Sequence, residues 1–172
     1  MTFLLLFHFS EAFDTILPSR LIKKLRDMGF SRTPLMWIRT YMIGRSQRVV
    51  SKSGESEYLE TNLGVPQGSV LGPLLFSIYI NDLQSHLNLE GVRYILYADD
   101  LQVYLTVPPD QILEGIARLS FAARKVSEWA AGASLRLNAA KTKAMFFGKE
   151  YRVRTLKSLN CLALNLGCSS HL

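Results

Sequence analysis

The sequence predicts an α+β fold, an antiparallel sheet with helices packed on one face. Three observations carry this. Residues 92–107, VRYILYADDLQVYLTV, are two runs of β-branched and aromatic residues around an adjacent carboxylate pair, Asp99 and Asp100, which reads as strand, tight turn, strand. The opening stretch MTFLLLFHF reads as a buried strand. The segments between and after these two carry apolar residues at helical spacing, and their order does not alternate as in a parallel α/β chain.

At 172 residues and 48% apolar content the chain fits one domain with a core of its own. The net charge of +6 suits an anionic partner, against the plainer alternative of a basic solvated surface. Cys161 and Cys168 lack a CxxC spacing and supply neither a disulfide framework nor a zinc site, so a reducing, intracellular compartment is expected. The apolar opening has no basic leader or small-residue cleavage site, Glu11 and Asp14 follow at once, and it is too short to cross a bilayer. No membrane association is expected. A chain that opens inside a core strand leads one to expect a missing segment upstream.

Taken in order, the first helix follows Pro18, with Leu21, Ile22, Leu25 and Met28 as its apolar stripe and Gly29 as its end. A second helix is expected over 34–43, carrying Leu35, Trp37, Ile38 and Tyr41. Its neighbours Arg39 and Arg45 read either as phosphate contacts or as ordinary surface arginines. A hairpin over 45–61 turns at Ser53-Gly54-Glu55. Residues 62–73, dense in Gly and Pro, open a largely buried helix over 74–87 with Leu74, Leu75, Ile78, Tyr79 and Leu83. After the central hairpin, Asp110 is expected to cap a long helix over 111–131, buried through Ile112, Ile116, Leu119, Ala123, Val126 and Trp129 and closed by Gly132. A short extended piece at 135–137, a turn at Asn138-Ala-Ala-Lys141 and a strand over 142–147 complete the pattern. This gives residues 1–148 as the folded unit and 149–172 as a degenerate tail.

The chemistry centres on Asp99 and Asp100. Two carboxylates about 4 Å apart repel by roughly 4 kcal/mol at an effective dielectric near 20. Either one takes up a proton or a cation sits between them, unless the pair is simply a solvated turn. The segment Gly64-Val-Pro-Gln-Gly-Ser-Val-Leu-Gly-Pro73 adds a turn that lets backbone approach a ligand, ahead of a helix N-terminus that favours anions.

Four motifs in order, LLLFHFSEAFDTI, GVPQGSVLGPLLFSIYINDL, YADD and LRLNAAKTKAMFF, closely resemble the reverse transcriptase of non-LTR (LINE-type, Jockey-like) retrotransposons, over nearly all of residues 4–148. The resemblance implies the palm of a right-hand polymerase, an RNA-directed DNA polymerase that copies an RNA template onto a DNA primer from dNTPs by two-metal nucleotidyl transfer. It implies two Mg²⁺ ions, with Mn²⁺ as an alternative, and hard carboxylate ligands from Asp99 and Asp100. It also implies that Ala12 and Phe13 lie against the nucleotide (Phe13 as the gate against a ribose 2′-hydroxyl, or simply a core aromatic). Gln67 and Gly68 would belong to the nucleotide-contacting turn, and Lys141 would protonate pyrophosphate or be a solvated turn lysine.

One position departs from the family pattern Asp-x-Ser-Lys-Ala-Phe-Asp. Aligned on Ser10-Glu11-Ala12-Phe13-Asp14, the third metal-ligand slot holds His8, and Asp14 matches the second aspartate six residues on. An imidazole is no bridging anion. Loss of such a ligand costs about 4 kcal/mol of transition-state stabilisation, roughly a thousandfold in rate. The sequence therefore predicts a catalytically crippled chain, a single base change from Asp. The family's fingers and endonuclease are expected upstream and its primer grip and thumb downstream. Leu166-Gly167 stands in the right region for the latter without matching surroundings, so a truncation or frameshift is expected. The alternatives are a non-catalytic nucleic-acid-binding remnant and an inert translated pseudogene. The expected location is intracellular, nuclear or cytoplasmic, and the oligomeric state is left open.

Overall fold

In the computed structural model, which describes residues 1–148, the opening stretch forms β1 (Thr2–Ser10). Its burial alternates. Phe3, Leu5, Phe7 and Phe9 are buried while Leu4, Leu6 and His8 are half-covered, so the strand buries one face rather than both. Each of those four side chains contributes roughly 1.5–3 kcal/mol by leaving water. The chain then turns at Glu11, whose φ of +49° lets its carbonyl accept the N–H groups of Asp14 and Thr15 at 3.0 and 3.1 Å.

α1 (Pro18–Asp27) starts on a proline, which has no N–H to leave unpaired, and buries Leu21 and Leu25. Met28 falls outside its stripe and is exposed; Gly29, at φ +90°, ends the turn. α2 (Arg32–Met42) buries Leu35, Ile38 and Met42. Trp37 is 59% exposed, because positions 37 and 41 share a different side of the helix; its ring stacks on Tyr41 at 6.1 Å. The expected hairpin is two short ladders, β2 (Arg45–Gln47) against β5 (Leu59–Thr61) and β3 (Val50–Ser51) against β4 (Gly54–Glu55).

The single helix expected over 74–87 is two, α3 (Gly72–Ile80) and α4 (Leu83–His86). Between them the i to i−4 ladder gives way to shorter bonds, Asn81 N–H to the Ile78 carbonyl at 3.4 Å and Ser85 N–H to that of Asp82 at 3.2 Å. Leu74 is exposed; Leu75, Phe76, Tyr79 and Ile80 are the buried face. β6 (Arg93–Tyr97) and β7 (Asp100–Thr106) form the central hairpin as expected. Asp110 does not cap the long helix. It lies in a single 3₁₀ turn, Pro109–Gln111, and α5 (Ile112–Gly132) begins without a side-chain cap. Its last helical residue is Gly132, and the left-handed conformation beyond it is taken by Ser134, at φ +57°. β8 (Arg136–Leu137) and β9 (Lys143–Phe147) follow. The readings for residues 149–172, including Cys161, Cys168 and Leu166-Gly167, lie outside the described residues.

These elements make two compact units. In the first, Met1–Ser10 joins the chain from Asp82 on. Its antiparallel sheet runs β6-β7-β1, with β8 and β9 both pairing along the other edge of β1. α5 packs against β1 and β7, coming closest at Gly115, where a Cβ would stand 2.9 Å from Val107 and 3.1 Å from Phe3. Trp129 anchors the helix, its ring edge-on to Phe9 and its indole N–H donated to Asp82 at 2.9 Å. The second unit, Glu11–Asn81, packs α1 between α2 and α3. Tyr79 is its centre, fully buried, with Arg20 and Lys24 over its ring and the Leu17 N–H reaching its hydroxyl at 3.5 Å.

Candidate active site

In the first unit the register of two strands decides what the site contains. β1 pairs with β7 so that His8 stands directly across from Asp100, and Tyr97 across from Asp100 closes the hairpin through Ala98 and Asp99. Ala98 holds the tight turn at φ +50°, a conformation alanine adopts at a cost. The three side chains therefore meet: His8 Nδ1 is 3.2 Å from Asp100 Oδ1 and 3.6 Å from Asp99 Oδ2. A carboxylate only accepts, so the 3.2 Å contact is a hydrogen bond donated by an Nδ1–H. The imidazole and Asp99 side chains are each 29% exposed and Asp100 is 66% exposed, which leaves the tip open to solvent.

The resemblance implies residue 8 in this constellation, and the register of β1 on β7 brings it there. Its chemistry is the departure. Among the described residues no group of three or more His, Cys, Asp or Glu forms a site for a metal ion. An imidazole that turns an N–H toward the carboxylates offers a cation no hard oxygen ligand, so these three side chains do not fit a pair of divalent ions as three carboxylates would. The nitrogen satisfies the carboxylates from within the chain.

Lys141 comes to the same end of the sheet. The Asn138 N–H donates to the His8 carbonyl at 2.8 Å, and the Asn138 side chain and carbonyl accept the Lys141 N–H at 3.1 and 3.2 Å, tying the turn between β8 and β9 to the strand that carries His8. A cavity of about 480 Å³ is lined by His8, Asp100, Gln102, Lys141 and Lys143 among others. Lys143 was not singled out from the sequence. Its signal is its place two residues beyond Lys141 at the start of a strand.

The second unit holds the other sequence-predicted residues. Gly64, at φ +71°, lies so close to the turn after β1 that a Cβ would stand 2.6 Å from Asp14 Cα. This is why a glycine is required, and it lets Gly64 and Val65 donate N–H groups to the Ile16 and Phe13 carbonyls, each at 2.9 Å. Gln67 then reaches Asp14, its amide nitrogen 2.8 Å from both carboxylate oxygens. Gly68 supplies a left-handed turn at φ +77° in open space. Ala12 is buried, and the Phe13 ring stacks on Phe76 at 4.3 Å. Arg45, a candidate phosphate contact, instead donates to the carbonyls of Met42, Leu63 and Gly64 at 3.0, 2.8 and 2.7 Å, holding the Gly64 loop on the end of α2. Asp14, as the partner that fixes the Gln67 amide, was missed; the two are 53 residues apart.

A family profile described as "Reverse transcriptase (RNA-dependent DNA polymerase)" matches residues 2–165. The chain is 28% identical over 142 residues to the "RNA-directed DNA polymerase from mobile element jockey" of Drosophila melanogaster, covering 80% of the chain and 15% of that protein. It is 33% identical over 113 residues to the "Probable RNA-directed DNA polymerase from transposon X-element" of the same organism, covering 64% and 12%. The chain thus spans between 12% and 16% of the length of the curated relatives it matches. Among solved structures, apo telomerase from Candida tropicalis truncated from its C-terminal domain superposes with a TM-score of 0.62 at 14% identity, covering 87% of this chain and 32% of that one. Telomerase from Candida albicans in complex with the TWJ fragment of telomeric RNA gives 0.57 at 17% identity, covering 84% and 27%. At these identities the likeness is one of fold: antiparallel sheet and helices in a polymerase-palm arrangement.

Proposed function

The chain belongs to the reverse transcriptase (RNA-dependent DNA polymerase) family, as its four motifs led one to expect, and from that premise we propose that it is the palm segment of an RNA-directed DNA polymerase of a non-LTR retrotransposon, catalytically crippled at its metal-binding tip. Enzymes of this family work with divalent metal ions. In the proposal the intact enzyme uses Mg²⁺, or Mn²⁺ in its place, to join dNTPs to a DNA primer along an RNA template, and acts in the nucleus. Asp99 and Asp100 are the metal-facing carboxylates, Lys141 stands by the leaving group, and Ala12, Phe13, Gln67 and Gly68 face the nucleotide.

The observation that carries the proposal is the register His8 opposite Asp100. It supports the crippled reading because the slot across from the carboxylate pair is filled by an imidazole that donates a hydrogen bond, not by a third anion. The same observation favours a second reading, a nucleic-acid-binding segment without catalysis. No helix of the described residues is long and apolar enough to cross a membrane.

Primer extension on an RNA template tests both parts. A chimera in which this segment replaces the matching stretch of a jockey polymerase is assayed with Mg²⁺ and with Mn²⁺. Extension roughly a thousandfold below the parent, recovered by His8→Asp, is the expected result. Incorporation at the parental rate with His8 in place would sink the crippled reading. No recovery with Asp would sink the assignment of position 8.

A further inference from the structure

The positive charge of the chain is concentrated. Residues 18–45 hold seven of its 20 Lys and Arg but one of its 14 Asp and Glu, so the thirteen of each elsewhere cancel and the whole excess falls on α1, α2 and their flanks. The fold uses part of it: Lys24 donates to the Tyr79 carbonyl, Arg20 sits over the Tyr79 ring, and Arg45 holds the carbonyls described above. Arg26, Arg32 and Arg39 are exposed, and among the described residues none of them has a carboxylate within ion-pair distance. α5 makes the contrast, because Arg118, Arg124 and Lys125 each meet Glu114 or Glu128.

Those three arginines line a single groove of about 540 Å³, with Phe30 and Met36 in its apolar floor. Phe30 is 40% and Met36 57% exposed. Arg32, Met36 and Arg39 share one stripe of α2, charge, apolar side chain, charge, with the two arginines about 10 Å apart along the axis. Three like charges without counter-ions repel one another, and an apolar floor is left facing water. The complement of such a surface alternates anionic and flat apolar groups.

We propose that this groove binds a single strand of nucleic acid, with phosphates on Arg26, Arg32 and Arg39 and a base against Phe30 and Met36. An acidic peptide matches the charge but carries flat rings only at its aromatic residues, whereas every unit of a nucleic-acid strand pairs a phosphate with a flat base. A duplex matches the charge but keeps its base faces stacked. The groove shares no residue with the candidate active site, so the inference does not depend on polymerase activity.

The full chain is titrated into a fluorescein-labelled uridine 12-mer, followed by anisotropy across a salt series. Changing Arg26, Arg32 and Arg39 together to Gln is expected to weaken binding at least about tenfold at low salt and to flatten the dependence of log K on log salt by about 2. Phe30→Ala is expected to weaken binding about tenfold while leaving that slope unchanged. Changing Arg118, Arg124 and Lys125 to Gln removes the same charge and should alter neither quantity. If the triple arginine variant does not fold by circular dichroism, Arg39→Gln alone should flatten the slope by about 0.7. Equal weakening by the α5 variant, displacement of the strand by poly-glutamate as readily as by unlabelled strand, or equal affinity for a 12-base-pair duplex would each overturn the proposal. Failure of His8→Asp to restore primer extension in the jockey chimera, alongside groove-dependent binding, would count against the polymerase reading and leave this one standing.

Discussion

His8→Asp should turn a metal-indifferent protein into a metal-dependent one. The substitution places a third carboxylate across from Asp100 and removes the hydrogen bond that the imidazole donates at 3.2 Å. Two new carboxylate contacts near 4 Å would each repel by about 4 kcal/mol at an effective dielectric near 20. The tip is partly open to water, and pairs in such positions are measured at about 1 kcal/mol or less, so the two together cost about 1–2 kcal/mol. The lost hydrogen bond adds about 1 kcal/mol. A fall of about 2–3 kcal/mol in a domain near 150 residues lowers the melting temperature by roughly 5–10 °C. A divalent ion held by the three carboxylates reverses this, by about 2.7 kcal/mol at a hundred times its dissociation constant. The assay is thermal unfolding in EDTA and in millimolar Mg²⁺ or Mn²⁺. The variant should melt low in EDTA and recover most of the difference with metal, while the chain with His8 shifts by about 1 °C or less, as expected without a metal site. Equal metal responses in the two proteins, or no loss of stability in EDTA, would refute the reasoning.

Two further outcomes concern stability. Gly64→Ala should cost about 2 kcal/mol or more, read as a lower denaturant midpoint at unchanged slope, because the new Cβ meets the Asp14 backbone at 2.6 Å in a left-handed residue. Asp82→Ala should cost about 1–3 kcal/mol by stranding the buried Trp129 indole N–H, and Asp82→Asn, which keeps an acceptor oxygen, should cost clearly less in the same thermal melt.

What the sequence made legible follows from periodicity and spacing. Two runs of β-branched and aromatic residues around the Asp99-Asp100 pair mark the hairpin of residues 92–107 and the residues at its tip. The resemblance carried by the four motifs implies that residue 8 belongs with that tip, and β1 pairs with β7 so that it stands across from Asp100. The failures share a different physics. Asn81 and Asp82 shorten the helical ladder while staying in helical conformation, so neither glycine nor proline marks the break. Met28 continues the apolar spacing of α1 in sequence but lies past the helix end, on the open side. Asp82 with Trp129, Asp14 with Gln67 and Arg45 with Gly64 are polar pairings over 47, 53 and 19 residues, and single-sequence patterning has no term for a hydrogen bond between distant side chains. Asp110 is the instructive case: the right residue type stood before the helix, yet the two prolines ahead of it shape a 3₁₀ turn in which its side chain caps nothing.

The pairings of β1 have a consequence for how the chain is made. Thr2 aligns with Thr106 on one edge and with Phe147 on the other, so the most apolar strand of the protein finds its first partner about a hundred residues after it is synthesised. At translation rates of 5–20 residues per second, that leaves on the order of 5–20 s in which Phe3, Leu5, Phe7 and Phe9 have no sheet to enter. The intervening Glu11–Asn81 unit is synthesised in full before the first residue of β7 is added. Folding of the first unit is therefore expected to be slow and dominated by long-range closure. The nascent chain in that interval carries an apolar strand with both edges unpaired, the kind of segment that pairs with other chains.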